Sequence, residues 1–202
     1  MSKSADADHP IHALIRQRWS PRSFSIRQMT HAQLLSLMEA ARWAPSSYNA
    51  QPWSFIAALR EDKPLFSRLF ECLMPGNQRW AGKAGALLLS IAATVDEDGD
   101  ANRYAFHDAG LASANLILQA TSMGLYVHMM GGFNREKARE TFQIPEGREP
   151  CAMIAVGYLG EADDLPDDLK ASETQTRRRV PVNDFLFGDK WNDPPSFLKK
   201  GS

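Results

Sequence analysis

Apolar residues recur at helical spacing in several parts of the chain, whereas other parts hold short continuous apolar runs. The helical spacing predicts five helices, at about residues 10–18, 31–44, 64–73, 106–123 and 135–142. A capping box formed by Thr30 and Gln33 opens the second helix, Pro45 stops it, and Asn134 caps the fifth. The sequence Pro75-Gly76-Asn77 predicts a break in the chain.

Three segments have the pattern of β-strands, at Trp53–Leu59, 86–95 and 152–159. The second of these is a continuous apolar run that ends at an acidic turn, which is typical of a strand buried on both faces. Helices and strands mix along the chain without strict βαβ alternation. The sequence therefore predicts an α+β fold with a mainly antiparallel central sheet flanked by helices.

The helix at 106–123 is apolar nearly all round, so most of its sides must be covered. The acidic, proline-containing segment 161–173 is expected to be an exposed connector. Apolar positions then alternate along residues 177–191, which is too short to form a domain and needs a docking surface. In a chain of this size, we expect a second subunit to cover both the helix at 106–123 and the tail at 177–191.

The predicted organisation is a flexible N-terminal tail at residues 1–10, one domain at 11–191 and a C-terminal tail at 192–202. Residues 177–191 form the docking tail of that domain. The chain has 202 residues and a formal net charge of −1, without the basic excess that a nucleic-acid-binding protein usually shows.

Two cysteines without a CxxC pair favour neither a zinc site nor a disulfide scaffold. Neither a signal peptide nor a membrane-spanning apolar run can be recognised. We therefore expect a cytoplasmic protein that binds small molecules, with no nucleic-acid or membrane partner.

Four segments could hold an anionic or flat ligand. Arg18, Trp19, Ser20 and Arg22 lie within five residues, and guanidinium groups match phosphate oxygens in pairs. The alternative is a pair of surface arginines at a helix end. A run of three arginines begins at Arg177; such runs are usually solvated, but the docking tail follows this one directly.

The loop at residues 45–52 is dense in hydrogen-bonding groups, and the amides of Asn49 and Gln51 can donate and accept at once. That suits a ligand edge that alternates carbonyls with ring nitrogens, as a flavin's does; a well-capped surface loop is the alternative. Gly131 and Gly132 let backbone approach a flat ligand closely, or simply form a tight turn. Histidines at metal-ligand spacing, a GxSxG elbow, a P-loop and a GxGxxG fingerprint are all absent from the sequence.

Four sequence segments, taken in order, resemble the nitroreductase family of FMN-dependent oxidoreductases. They are RWSPRSF at 18–24, ARWAPSSYNAQPWSF at 41–55, GLYVHMMGGF at 124–133 and RRRVP at 177–181. The resemblance runs from about residue 11 to 191. It implies an α+β sandwich that forms an intertwined homodimer, with FMN at the interface and touched by both subunits.

The resemblance also implies which positions bind FMN. The residues matched to the phosphate and to the pyrimidine end of the ring are Arg18, Trp19, Ser20 and Arg22, with Arg177 and Arg179 near the phosphate. Those matched to the loop that contacts FMN, in part from the partner subunit, are Pro45, Ser46, Ser47, Asn49 and Gln51. Met130, Gly131 and Gly132 are matched to the segment beside the flavin ring, and Asn77 to its polar edge.

The activity implied is transfer of a hydride from NAD(P)H to an electron-poor acceptor such as a nitroaromatic or a quinone, by a ping-pong mechanism without a catalytic side chain. Some family members carry an acidic residue where Gly131 stands, which bears on substrate preference, and Trp19 is bulkier than expected. Other redox chemistry on the same scaffold, such as dehydrogenation, dehalogenation or flavin breakdown, stays open, as does a non-catalytic flavin-binding protein.

Overall fold

The computed structural model describes residues 3–198, and these contain one four-stranded antiparallel sheet. Its strands are β1 (Trp53–Leu59), β2 (Ala86–Ala93), β3 (Tyr126–Met130) and β4 (Arg148–Gly157), in the order β1-β2-β4-β3. The antiparallel pairing confirms the predicted α+β class.

Seven α-helices accompany the sheet in the described part of the chain: α1 (Ala13–Gln17), α2 (His31–Arg42), α3 (Lys63–Glu71), α4 (Pro75–Ala81), α5 (Ala105–Ser122), α6 (Arg135–Phe142) and α7 (Asp167–Thr174). Short 3-10 turns lie at Ser47–Asn49, Ala162–Asp164, Val182–Asp184 and Ser196–Leu198. None of the helices within residues 3–198 has the length and apolarity that crossing a bilayer requires.

Strand β2 forms the centre of the fold. All eight of its residues are buried, as its apolar run predicts. Because side chains of a strand alternate between faces, Leu87 and Leu89 join one apolar cluster and Leu88 joins another. The first cluster includes α3 and α4 residues, and the second packs α2 and α5 against the opposite face.

Local capping signals are confirmed. The Thr30 hydroxyl accepts a hydrogen bond from Gln33 N (3.2 Å), and the Gln33 amide oxygen accepts one from Thr30 N (3.0 Å). The Asn134 side chain accepts from Lys137 N at 2.8 Å at the start of α6. Gly124 follows α5 with a φ of 69°, a left-handed conformation that glycine adopts without steric cost.

Two expectations from local pattern are wrong, and the pattern misses one strand. Residues 75–77 begin α4, because Pro75 occupies a first-turn position where its missing N–H costs nothing. The five-residue strand β3 has too little alternation to be recognised from sequence. Segment 161–173 contains most of α7, and Glu173 at its end is only 4% exposed.

Residues 3–5 contact the end of α1 and the start of the docking tail. Ala5 N donates to Arg16 O (2.8 Å), and the Arg177 guanidinium donates to Lys3 O (2.9 Å), so that the first described residues contact the start of the docking tail. Parts of both predicted terminal tails, residues 1–2 and 199–202, lie outside the described residues.

The loop between α2 and β1 has a strained backbone. Tyr48, Asn49 and Gln51 all have positive φ, at 51°, 57° and 46°, which residues other than glycine adopt at a cost. The buried Asp108 of α5 anchors this loop: its Oδ2 accepts a hydrogen bond from Ser47 N at 2.9 Å.

Removal of this anchor should destabilise the fold. We expect Asp108→Ala to lower the free energy of unfolding by about 1–3 kcal/mol, because it leaves the Ser47 N–H without its acceptor and releases the strained loop. Thermal and urea unfolding at one fixed protein concentration measure this. His107→Ala is the matched control: its ring also contacts Asp108 (2.9 Å) but its side chain is 68% exposed, so we expect a change within about 0.5 kcal/mol. Equal losses in the two variants would contradict the anchoring role.

Candidate functional site

A cavity of about 230 Å³ collects the arginines that the sequence analysis singled out. Its lining residues include Arg18, Trp19, Ser20 and Arg22 from the segment after α1, and Arg177 and Arg179 from the docking tail. We call it the anion cavity. Two segments that are about 160 residues apart in sequence therefore contribute to one site.

The segment after α1 is held in place by the end of the sheet. Phe24 is buried and forms an antiparallel bridge with Leu159, just beyond β4. Ser25 N donates to Tyr158 O (2.9 Å), and Gly160 N donates to Ser23 O (3.0 Å). These backbone bonds extend the antiparallel pairing and place the arginine segment at this edge of the domain.

Polar side chains of α7 and β3 also hold this segment in place. The Glu173 carboxylate accepts hydrogen bonds from Arg22 N and Ser23 N. His128 of β3 lies 2.9 Å from Pro21 O through Nδ1, and since a carbonyl oxygen can only accept, Nδ1 carries the proton. Burial lowers the pKa of His128, which favours the neutral ring in this role.

The anion cavity concentrates positive charge. The pKa of Arg18 lies below its usual value, first because of burial and then because Arg177 and Arg179 are close and carry the same charge. Burial and the charge of Arg179 lower the pKa of Arg177 in the same way. Lys3 also lines the cavity, and its pKa is lowered mainly by burial. Arginine stays charged despite such shifts, so the like charges repel each other here.

One carboxylate, Glu173, also lines the cavity, and its charge acts on Lys3 against the lowering of that pKa by burial. Across residues 3–198, none of the guanidinium groups of Arg18, Arg22, Arg177 and Arg179 forms an ion pair. Their guanidinium groups donate hydrogen bonds to hydroxyl groups and backbone carbonyls, such as Arg18 to Ser20 Oγ at 3.2 Å. A phosphate-sized anion fits the donors, the hydroxyl and the charge of this cavity.

A larger groove of about 560 Å³ adjoins the anion cavity and shares Arg18, Arg177 and Arg179 with it. The apolar part of the groove is formed by Ile11, Ile15, Val180, Pro181, Val182 and Phe185. Arg178 lines the groove but not the anion cavity. The two spaces together present a charged end beside an apolar surface.

Trp19 lies in the wall of the anion cavity, but its ring belongs to the core. It is 7% exposed and packs edge-on against Tyr126, with 6.0 Å between ring centroids. The Asn77 side chain donates to Gly132 O at 2.9 Å, so the structure brings these two predicted site residues together. Met130 beside them is buried, whereas Gly131 and Gly132 are exposed.

The predicted site residues therefore fall into three groups in the single chain. Neither the anion cavity nor the groove is lined by residues of the 45–52 loop or of the segment 130–132. Within the loop, Tyr48 is fully exposed, and the Gln51 amide donates to Asn49 O at 3.0 Å. The structure assembles the arginines, and it places the 45–52 loop and the segment 130–132 outside both spaces.

Sequence reasoning missed several residues of the anion cavity, namely Lys3, Ser172, Glu173, Gln175 and Thr176. Glu173 ends an acidic stretch that looks like a solvated connector, and a single buried carboxylate has no local sequence signal. Its position four residues after the partly buried Leu169 places both on one side of α7, which is the only hint that the chain offers.

Comparison with known proteins agrees with this fold. The FMN reductase (NADPH) of Bacillus subtilis is 27% identical over 169 residues, which cover 75% of this chain and 66% of the relative. An uncharacterised 15.4 kDa protein of Mycolicibacterium smegmatis is 35% identical over 129 residues, or 64% of this chain and 86% of its own. A crystal structure of an oxidoreductase containing FMN superposes with a TM-score of 0.88 at 37% identity, and covers 96% of this chain and 98% of that one.

The model of the nitroreductase family matches residues 15–158. The matched region includes the arginine segment at 18–24, the strained loop, all four strands and the glycine pair at 131–132. The chain belongs to the nitroreductase family.

Proposed function

We propose that the protein is an FMN-dependent oxidoreductase that takes a hydride from NAD(P)H and passes it to an electron-poor acceptor such as a nitroaromatic or a quinone. The observation that carries the proposal is the anion cavity, where four arginines converge without a carboxylate partner among the described residues. The FMN reductase relative and the neighbouring structure that contains FMN support the choice of cofactor.

In this proposal the anion cavity holds the FMN phosphate. Arg18, Arg22 and Arg179 supply charge-assisted hydrogen bonds, and the Ser20 hydroxyl adds a donor. Arg177 contributes charge while its guanidinium also holds Lys3 O and Arg16 O. Bound FMN supplies the hydride chemistry.

The remaining groups serve the ring of the cofactor. The amides of Asn49 and Gln51 bind its polar edge, together with Pro45, Ser46 and Ser47 of the same loop. Asn77 holds the backbone of Gly132, so that Met130, Gly131 and Gly132 lie against the ring. Donors at this edge stabilise negative charge there, and the substrates are held in place without a catalytic side chain.

We further propose that the working protein is a homodimer. Large apolar side chains are exposed on the single chain at Phe106 of α5 (58%) and at Val180 (63%) and Trp191 (83%) of the docking tail. A second copy covers these side chains and brings its 45–52 loop, with the fully exposed Tyr48, to the anion cavity of the first. This accounts for a site that is divided within one chain.

Cofactor and turnover test the function directly. We expect purified protein to release about one FMN per chain on acid extraction, and to oxidise NADH or NADPH when a nitroaromatic or a quinone is supplied. Chromatography of the extract and steady-state kinetics with an acceptor panel measure both. Parallel double-reciprocal plots at several acceptor concentrations are expected for the ping-pong mechanism. Recovery of FAD, or absence of turnover with every acceptor, would refute the proposal.

Single arginine substitutions test the phosphate site. Arg22→Ala and Arg179→Ala should each weaken FMN binding by about 10- to 150-fold, because each removes a charge-assisted contact. Arg178→Ala is the matched control and should cost much less, since Arg178 lines only the groove. Titration of apoprotein with FMN by fluorescence quenching measures the affinities, with circular dichroism as the check on folding. An Arg178→Ala loss as large as that of Arg179→Ala would show that the docking tail binds in another register.

The oligomeric state tests the shared site. We expect sedimentation at micromolar concentration to show a dimer without free monomer, because the exposed apolar side chains favour a large hydrophobic interface. Trp191→Ser combined with Val180→Ser should weaken the dimer. A monodisperse native monomer that binds FMN tightly would eliminate the two-subunit model.

A further inference from the structure

A buried carboxylate lies directly beneath the arginine segment. Glu173, at the last turn of α7, is 4% exposed. Its Oε1 accepts from Arg22 N at 2.9 Å and from Ser23 N at 3.2 Å, and its Oε2 accepts from Arg22 N at 3.0 Å. Two consecutive backbone N–H groups therefore point at one negative charge.

The last turn of α7 also contacts the side chain of Arg22. Ser172 Oγ accepts a hydrogen bond from Arg22 Nη1 at 3.3 Å. Adjacent residues of one helix thus hold both the backbone and the guanidinium of the same arginine. Because hydrogen bonds to an ionised acceptor are stronger than neutral ones, the Glu173 contacts set the direction of the peptide that precedes the Arg22 side chain.

Further hydrogen bonds hold the other side of residues 21–23. Pro21 O accepts from His128, and Ser23 O accepts from Gly160 N. The Ser23 hydroxyl donates to the Glu161 carbonyl at 2.6 Å. His128 and Glu173 hold residues 21–23 from two sides, so these residues have little conformational freedom. Of these two side chains, Glu173 is the charged one.

Glu173 uses its oxygens for backbone N–H groups and not for the guanidinium groups of the cavity. It forms no ion pair with a guanidinium in the described part of the chain, since both of its oxygens are engaged by backbone N–H groups. The carboxylate therefore orients the arginine segment and leaves the guanidinium groups available to another anion. A carboxylate that bound those guanidinium groups directly would compete with a phosphate.

We infer that Glu173 is a positioning residue for the phosphate end of the cofactor and thereby sets the preference for FMN over riboflavin, which lacks the phosphate. This inference rests on the proposed function. It assigns to α7, which lies beyond residues 15–158 of the family match, a part in cofactor selection.

Glu173→Gln is the decisive variant. Its side chain keeps nearly the same shape, but its amide NH₂ faces the Arg22 N–H, donor against donor, in place of one carboxylate oxygen. Apoproteins of the native chain and the variant are titrated with FMN and with riboflavin, and the ratio of the two dissociation constants is compared. We expect the preference for FMN to fall by at least about 10-fold, with riboflavin affinity unchanged.

Glu161→Gln is the matched control, because it removes the same charge from an exposed side chain whose backbone contacts the same arginine segment. Only the backbone carbonyl of Glu161 contacts Ser23, so the preference for FMN should stay at the native value. If Glu173→Gln does not fold, as judged by circular dichroism, Glu173→Asp carries the test. It keeps the charge but shortens the reach to both N–H groups, so the preference for FMN should still fall.

Two results would overturn the inference. Loss of FMN and riboflavin affinity by the same factor would show that Glu173 only stabilises the fold, and an unchanged preference in the folded variant would show that it does not position the phosphate site. A native protein that binds neither flavin would instead refute the proposed function, and the inference with it. The native titration therefore separates the two kinds of failure.

Discussion

Strand β2 has no side that faces solvent, and helices must therefore cover both faces of the sheet. Its alternate side chains join two apolar clusters, one with α3 and α4 residues and the other with α2 and α5. Antiparallel pairing of β2 with β1 and β4 then sets the direction and the ends of the neighbouring strands. The 45–52 loop connects α2 to β1, so its position depends on this burial.

In the anion cavity, the fold holds like charges close together. Arg18, Arg177 and Arg179 repel one another, and burial of Arg18 and Arg177 adds a desolvation cost. The chain has a net charge of −1 and could place carboxylates among these arginines. Glu173 lines the same cavity, but its carboxylate binds backbone N–H groups. This arrangement lowers the stability of the free protein, and under the proposed function the bound phosphate offsets that cost.

The strained loop shows the same principle in the backbone. Three residues other than glycine adopt positive φ within four positions, and a buried carboxylate on α5 holds them there. Strain of this kind persists only where surrounding structure enforces it, and it is commonly found at binding sites. Asp108 and Glu173 thus act alike: each is a buried acid that accepts hydrogen bonds from backbone N–H, and within residues 3–198 neither forms an ion pair with an arginine.

The sequence by itself determined the local features of this protein. The capping box at Thr30, the strand at Trp53–Leu59, the doubly buried strand and the family motifs all depend on residues close together in the chain, where periodicity and side-chain chemistry can be recognised directly. Only the tertiary structure decided that Arg22 and Arg179 share a cavity, that residues 161–173 contain most of a helix, and that Glu173 is buried beneath the arginine segment. The physical reason is distance along the chain: the bonds from Glu173 to Arg22 and Ser23 span 151 and 150 residues, and no local pattern records which distant backbone group a carboxylate will meet.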